Sequence, residues 1–306
     1  MSLGNIGYIY LNKGDLDAAL DCLLRSHKIL VEINDKVYLP VTKTNIGNFY
    51  YAKGQYQTAL IYFKESLALF ETLENNLWIS ETLLYYILAY CEVDLNGAID
   101  LLNKFEKIAE SDQNKSKLID IRYKLMKSIV LKKTNRLENI VKAEKLLYQI
   151  VDNEEILDYA VTLMAMKHLA DLLILELKLQ DDETILIELI NLISKLNDSA
   201  LIHGSRRIQV QTYILFAKVK ILSGDFQSAV ESLDFAEKIA KEDGLEKLEK
   251  EALLEKDQIV QKASMYERAY GDLTNIQEKL QQANVEAYLN EILVNGILQY
   301  KQNSNK

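Results

Sequence analysis

The residues of this chain best equipped for chemistry are amides and phenols rather than nucleophiles. Near the amino terminus Asn5, Tyr8 and Asn12 fall at i, i+3 and i+7; further on, Thr44, Asn48 and Tyr51 fall at i, i+4 and i+7, with Asn45 beside them. Such spacings put each set on one stripe of a helix. Asparagine is a poor helix former, so its repeated use away from turns asks for a reason. Its amide donates and accepts, which suits the main chain of a bound peptide, and tyrosine adds apolar area with few torsions to freeze. That is the chemistry of recognition; a solvated polar face in an asparagine-rich composition is the alternative. The same face is predicted to continue through Leu84, Leu88, Ile214, Lys218 and Ile221, growing more apolar. The candidate peptide-binding residues are therefore Tyr8, Asn12, Thr44, Asn45, Asn48, Tyr51, Leu88 and Lys218.

Catalytic and metal-binding patterns are missing from the sequence. It holds no phosphate-cradling glycine loop, no His-Glu-x-x-His pair and no Cys-x-x-Cys pair. His27, His168 and His203 lie far apart, so no catalytic residue, metal ligand or cofactor is expected, and the chain is not expected to be an enzyme. Two cysteines, Cys22 and Cys91, make no disulfide framework and read as buried reduced thiols of a cytoplasmic protein. No run of about 18 uncharged apolar residues occurs, so no membrane span is expected. A net charge of −9 disfavours nucleic acid, which needs a basic footprint. Residues 115–145 are the exception, with ten basic side chains against three acidic ones. Lys132, Lys133 and Arg136 within it are a candidate dock for an acidic partner, set against a plain solvated helix face.

Those residues need elements to position them, and the elements repeat. Gly7, Gly14, Ala19 and Ser26 are matched at the same spacing by Gly47, Gly54, Ala59 and Ser66, and later by Ala217, Gly224, Ala229 and Ala236. Large residues keep register with them: Ile6, Tyr10 and Leu23 become Ile46, Tyr50 and Phe63. Small residues at helical offsets let two helix backbones approach, and the second glycine suits a tight turn. A unit of this size cannot bury its apolar face alone, so repetition implies stacking. One proline in 306 residues, with abundant Leu, Ile, Lys and Glu, implies helix almost throughout. Clear repeats run over 3–33, 41–75 and 206–243, and degenerate ones over 78–110, 115–151 and 156–198. In the third, Ile87 and Asp94 replace the glycines and the turn is one residue shorter. Residues 1–244 thus read as a solenoid and 245–306 as C-terminal capping helices, with a disordered tail from residue 302. An apolar stripe, Ile276, Leu280, Ala283, Ala287, Leu289, Ile292 and Leu293, is expected to cap the array, or else to form a homodimer or bind a partner.

The units Asn5-Ile6-Gly7 through Ala18-Ala19 and Asn45-Ile46-Gly47 through Thr58-Ala59 resemble tetratricopeptide repeats, as does Gly224-Asp225-Phe226-Gln227-Ser228-Ala229. Their forty-residue length is similar to the repeats of spindle-orientation scaffolds, kinesin light chains and the sensor arms of bacterial signal-transduction ATPases. The resemblance implies an all-α, right-handed superhelix of about six helix hairpins. It implies a concave groove that holds a peptide or protein segment, and no activity of its own. The abrupt start at Met1-Ser2-Leu3 adds a second expectation, the sensor or oligomerisation arm of a larger regulator. Relatives that hold chaperone tails clamp a terminal carboxylate with Lys, Asn and Arg. Here those positions are Gly4, Tyr8, Asn45, Glu81 and Tyr85; only Asn45 fits, so that clamp is not expected.

Overall fold

The computed structural model describes residues 3–270 except 14, 113–115, 154–155, 178–182 and 223–224; for residues 12, 13, 183, 222 and 260–270 it describes the backbone only. Among the described residues there are thirteen α-helices and no strand. They pair as hairpins: α1 (Leu3–Lys13) with α2 (Leu16–Glu32), α3 (Tyr38–Ala52) with α4 (Tyr56–Thr72), and α5 (Asn76–Val93) with α6 (Leu95–Ser111). Next come α7 (Lys117–Lys133) with α8 (Leu137–Val151), α9 (Tyr159–Leu177) with α10 (Glu183–Ile202), and α11 (Arg206–Leu222) with α12 (Phe226–Glu242); α13 (Glu246–Tyr270) follows. The apolar stripe beyond Ile276 lies outside the described residues.

The repeated small residues explain each hairpin's closeness. A Cβ on Gly7 would stand 2.7 Å from Leu23 Cγ, and one on Gly47 would stand 2.5 Å from Phe63 Cε1. The glycine of the first helix is therefore the socket for the large residue of the second, and both Leu23 and Phe63 are fully buried. The third hairpin reverses the roles. Ile87 fills the old glycine position, and a Cβ on Gly97 of the second helix would meet Tyr90 at 2.5 Å. The close approach survives with its partners exchanged.

Short polar caps make the turns. Asp15, Asn75 and Asp225 each accept the backbone N–H of the residue three ahead at 3.1 Å, satisfying an orphan donor of the first turn. Gly54 sits at φ +73°, where a side chain would be strained. In the shortened third turn Asp94 serves alone, accepting from the N–H groups of Asn96 and Gly97 while its own N–H reaches Tyr90 O. The degenerate repeat expected to end at residue 198 runs on to Ile202, because Ala200 is still fully buried and the left-handed Gly204 ends the helix.

Odd-numbered helices form an inner row, each touching the next odd one from α1 to α13. The row also closes, because α1 touches α11. One buried cluster runs through the middle repeats, and a second joins the two ends, uniting Leu11, Ile46 and Phe49 with Val210, Ile214, Leu245 and Leu248. Lys53 Nζ meets Glu246 Oε1 at 3.1 Å across the same junction. The repeats thus curl until first and last share a core.

Candidate functional site

Closure turns the groove into a cavity of about 560 Å³, within the about 300–1,000 Å³ typical of small-ligand sites. Side chains of α1, α3, α5, α7, α9, α11 and α13 line it. Four of the candidate residues are there: Tyr8, Asn48, Tyr51 and Leu88. Asn48 is 6% exposed, and its Oδ1 has no hydrogen-bond partner among the described residues; the hydroxyl of Tyr159, which lines the cavity from α9, is also buried without one.

The other candidates fall elsewhere, and the side chain of Asn12 lies outside the described residues. Thr44 is buried between helices, its Oγ1 2.7 Å from Ser66 Oγ and 3.1 Å from Thr82 Oγ1, so its hydroxyl serves helix packing. Asn45 is buried and does not line the cavity. Thr44 turns away from the groove because α4 and α5 pack against that side of α3. Lys218 reaches Glu255 at 3.3 Å and is not on the cavity wall.

The basic stretch does not form one free surface. Lys132 is committed to Asp171 at 2.8 Å and to His168 Nδ1 at 3.3 Å. Lys133 lines the cavity and lies 3.8 Å from Glu92, whereas Arg136 is exposed at the N-cap of α8. Arg122 is nearly buried, donating to Leu77 O, Ser80 Oγ, Asp158 and Glu81 at 3.1–3.4 Å. Helical periodicity folds these cations inward onto carboxylates of neighbouring repeats. Glu81, one of the clamp positions, is thereby used by Arg122; burial still pushes its carboxyl up, against the pull of the guanidinium.

Electrostatics on the wall follow burial. His168 is held well below its usual range by burial, with Lys132 and Lys167 adding to it, so it is neutral at pH 7. Asp171 feels the same burial, but Lys167, Lys132 and Lys218 outweigh it and hold the carboxyl well below its ordinary value. Burial pushes the Cys91 thiol up to about 12, so this cysteine is no thiolate nucleophile. Sequence reasoning missed Tyr159, Arg207 and Lys247 on this wall. Tyr159 comes from a degenerate repeat, and the two cations begin α11 and α13, where no motif marks them.

No group of His, Cys, Asp and Glu among the described residues could hold a metal ion. No helix among them is long and apolar enough to cross a membrane. Residues 1–72 match the tetratricopeptide repeat family. The first two hairpins carry that match. No curated protein matches it. Among solved structures it is similar to a tetratricopeptide repeat protein from Parabacteroides merdae ATCC 43184, at 18% identity and a TM-score of 0.39, over 82% of this chain and 97% of that one. Repeats of this kind generally mediate protein–protein interaction, and the paired glycines and polar caps of the first two hairpins are the local chemistry of the matched stretch.

Proposed function

We propose that the protein is a non-catalytic binding module whose closed repeat array takes a short peptide segment into the cavity. One observation carries this reading: Asn48 of α3 and Tyr159 of α9 both line the cavity, and Asn48 Oδ1 and the Tyr159 hydroxyl are buried without partners among the described residues. An unmet buried polar group costs about 1–3 kcal/mol, which a native fold tolerates where a ligand meets it. A peptide main chain supplies the N–H and C=O groups these two atoms lack. Tyr8, Tyr51 and Leu88 offer flat and apolar surface for its side chains. The size of the cavity fits a few residues of extended chain rather than a folded domain.

The test is affinity selection from randomised pentapeptide pools, followed by calorimetry on the retained sequences. Asn48→Ala with Tyr51→Ala should weaken binding by about tenfold to several hundredfold, since a buried hydrogen bond and an aromatic anchor each contribute about 1–2 kcal/mol. Tyr51 also packs against the core, so the melting temperature of the double variant should fall, and affinities are compared at a temperature where both proteins are folded. Retention of no pentapeptide, or wild-type affinity in the double variant, overturns the reading.

A further inference from the structure

Around Tyr51 the cavity wall carries an excess of positive charge that nothing in the overall composition predicts. Lys133 of α7, Arg207 of α11 and Lys247 of α13 line the cavity from three separate elements, and Lys133 and Lys247 share one carboxylate, Glu92 of α5. Lys133 Nζ and Lys247 Nζ lie 3.8 and 3.6 Å from Glu92 Oε1. Arg207 makes no ion pair among the described residues; its guanidinium carbon stands 5.6 Å from the centre of the Tyr51 ring, and Lys247 Nζ stands 5.9 Å from the same ring. Two of these cations thus share one carboxylate and the third has none, and the whole lining holds four Lys and Arg side chains against Glu92, Asp158 and Glu251, in a chain whose net charge is −9. Their fields reach the Tyr51 hydroxyl: burial pushes its pKa up, and Lys247 and Arg207 oppose that rise.

Bringing like charges together on a partly dry wall is costly unless an anion joins them. Arg207 is the natural anchor, because a guanidinium that lies over an aromatic face and makes no ion pair among the described residues can offer two hydrogen bonds to a carboxylate. Asn48 stands one turn before Tyr51 on α3 and lines the same cavity, its Oδ1 without a partner among the described residues. Such an acceptor suits a main-chain N–H close to the anchored group. Leu88, Ile129, Leu163 and Leu248 supply apolar wall for the rest of the ligand. None of the three cations occupies a position of the chaperone-tail clamp, which here would be Gly4, Tyr8, Asn45, Glu81 and Tyr85.

We propose that the cavity anchors its peptide by a carboxylate, held between Arg207 and Lys247 with Lys133 behind them, and holds the adjoining main chain through Asn48. This rests on the peptide-binding reading above and names the chemical class of its ligand. Three pentapeptide pools built from uncharged residues test it: one with a free C-terminal carboxylate, one amidated, and one amidated with a single glutamate. Wild-type protein should retain at least one carboxylate-bearing pool about tenfold more strongly than the neutral amide, and that preference should shrink as salt is raised. Which pool wins identifies whether the carboxylate is terminal or from a side chain. Arg207→Gln with Lys247→Gln should abolish the preference, and Arg207→Lys with Lys247→Arg should keep most of it. If the Gln pair fails to fold, the comparison of pools on wild-type protein across salt decides alone. Equal retention of all three pools overturns the carboxylate anchor and leaves peptide binding standing; retention of none overturns both.

Discussion

A single absent methyl explains most of what the first two repeats share. Gly47 faces the Phe63 ring so closely that a Cβ would lie 2.5 Å from Cε1 and 2.7 Å from Cδ1. Phe63 is fully buried and cannot swing aside without opening the core. Gly47→Ala should therefore destabilise the fold by about 1–3 kcal/mol, despite alanine's better helix propensity. Urea unfolding monitored by circular dichroism measures it, and a Gly47→Ala variant as stable as the parent would show that α3 and α4 separate at little cost. This glycine was legible in the sequence because its partner recurs at a fixed offset, Leu23 for Gly7 and Phe63 for Gly47. Thr44 was misread for an equally physical reason. It shares the stripe of Asn48 and Tyr51 by spacing, yet a helix in an array has neighbours on more than one side. Its hydroxyl went to Ser66 and Thr82.

At the scale of elements, α7 and α9 are tied by a polar knot that the sequence presented as a basic surface. Lys132 from α7 meets Asp171 and His168 from α9, and Lys167 joins the same carboxylate at 3.1 Å. The groups facing His168 are Lys132, Lys133, Lys167 and Asp171, and burial with the lysines keeps the imidazole neutral in the folded protein. An unfolded histidine titrates near 6.5. Below that pH the unfolded chain binds a proton that the folded chain refuses, so this part of the stability is full above 6.5 and declines as pH falls. The slope per group is at most about 1.4 kcal/mol per pH unit. His27, lowered by burial and by Lys43, acts in the same direction. His168→Gln should therefore flatten, without abolishing, the loss of melting temperature between pH 6.5 and 5. An unchanged pH profile would mean that His168 takes up its proton freely in the native state. The charges were visible in the sequence, but the partners lie 36 and 39 residues away on another repeat, where only three-dimensional stacking brings them together.

For the molecule as a whole, closure is the property that no local pattern announced. Repeat registers predict neighbour contacts, and they do so for six hairpins; whether the two ends meet depends on small rotations accumulated over the array. Leu11 records the outcome. It follows Gly7 by four residues, as Tyr51 follows Gly47, so it belongs to the groove-facing stripe that an open array leaves wet. Instead it is 8% exposed and shares a buried cluster with Val210, Ile214 and Leu248 from the other end. The Lys53–Glu246 pair at this junction has its Glu half-exposed and contributes about 0–1 kcal/mol, so apolar burial holds the ends together. Leu11→Asp should place an unpaired charge in that seam, at a cost of several kcal/mol while it stays closed. Each hairpin keeps its own packing, so the expected response is opening rather than unfolding. The far-ultraviolet helical signal should persist, the radius of gyration in small-angle scattering should rise, and retention of pentapeptides should fall. Lys53→Ala, by contrast, should leave the scattering profile unchanged. An unaltered radius in Leu11→Asp would show that the ends are held by contacts other than this apolar seam, and a change in Lys53→Ala would move the credit to the ion pair.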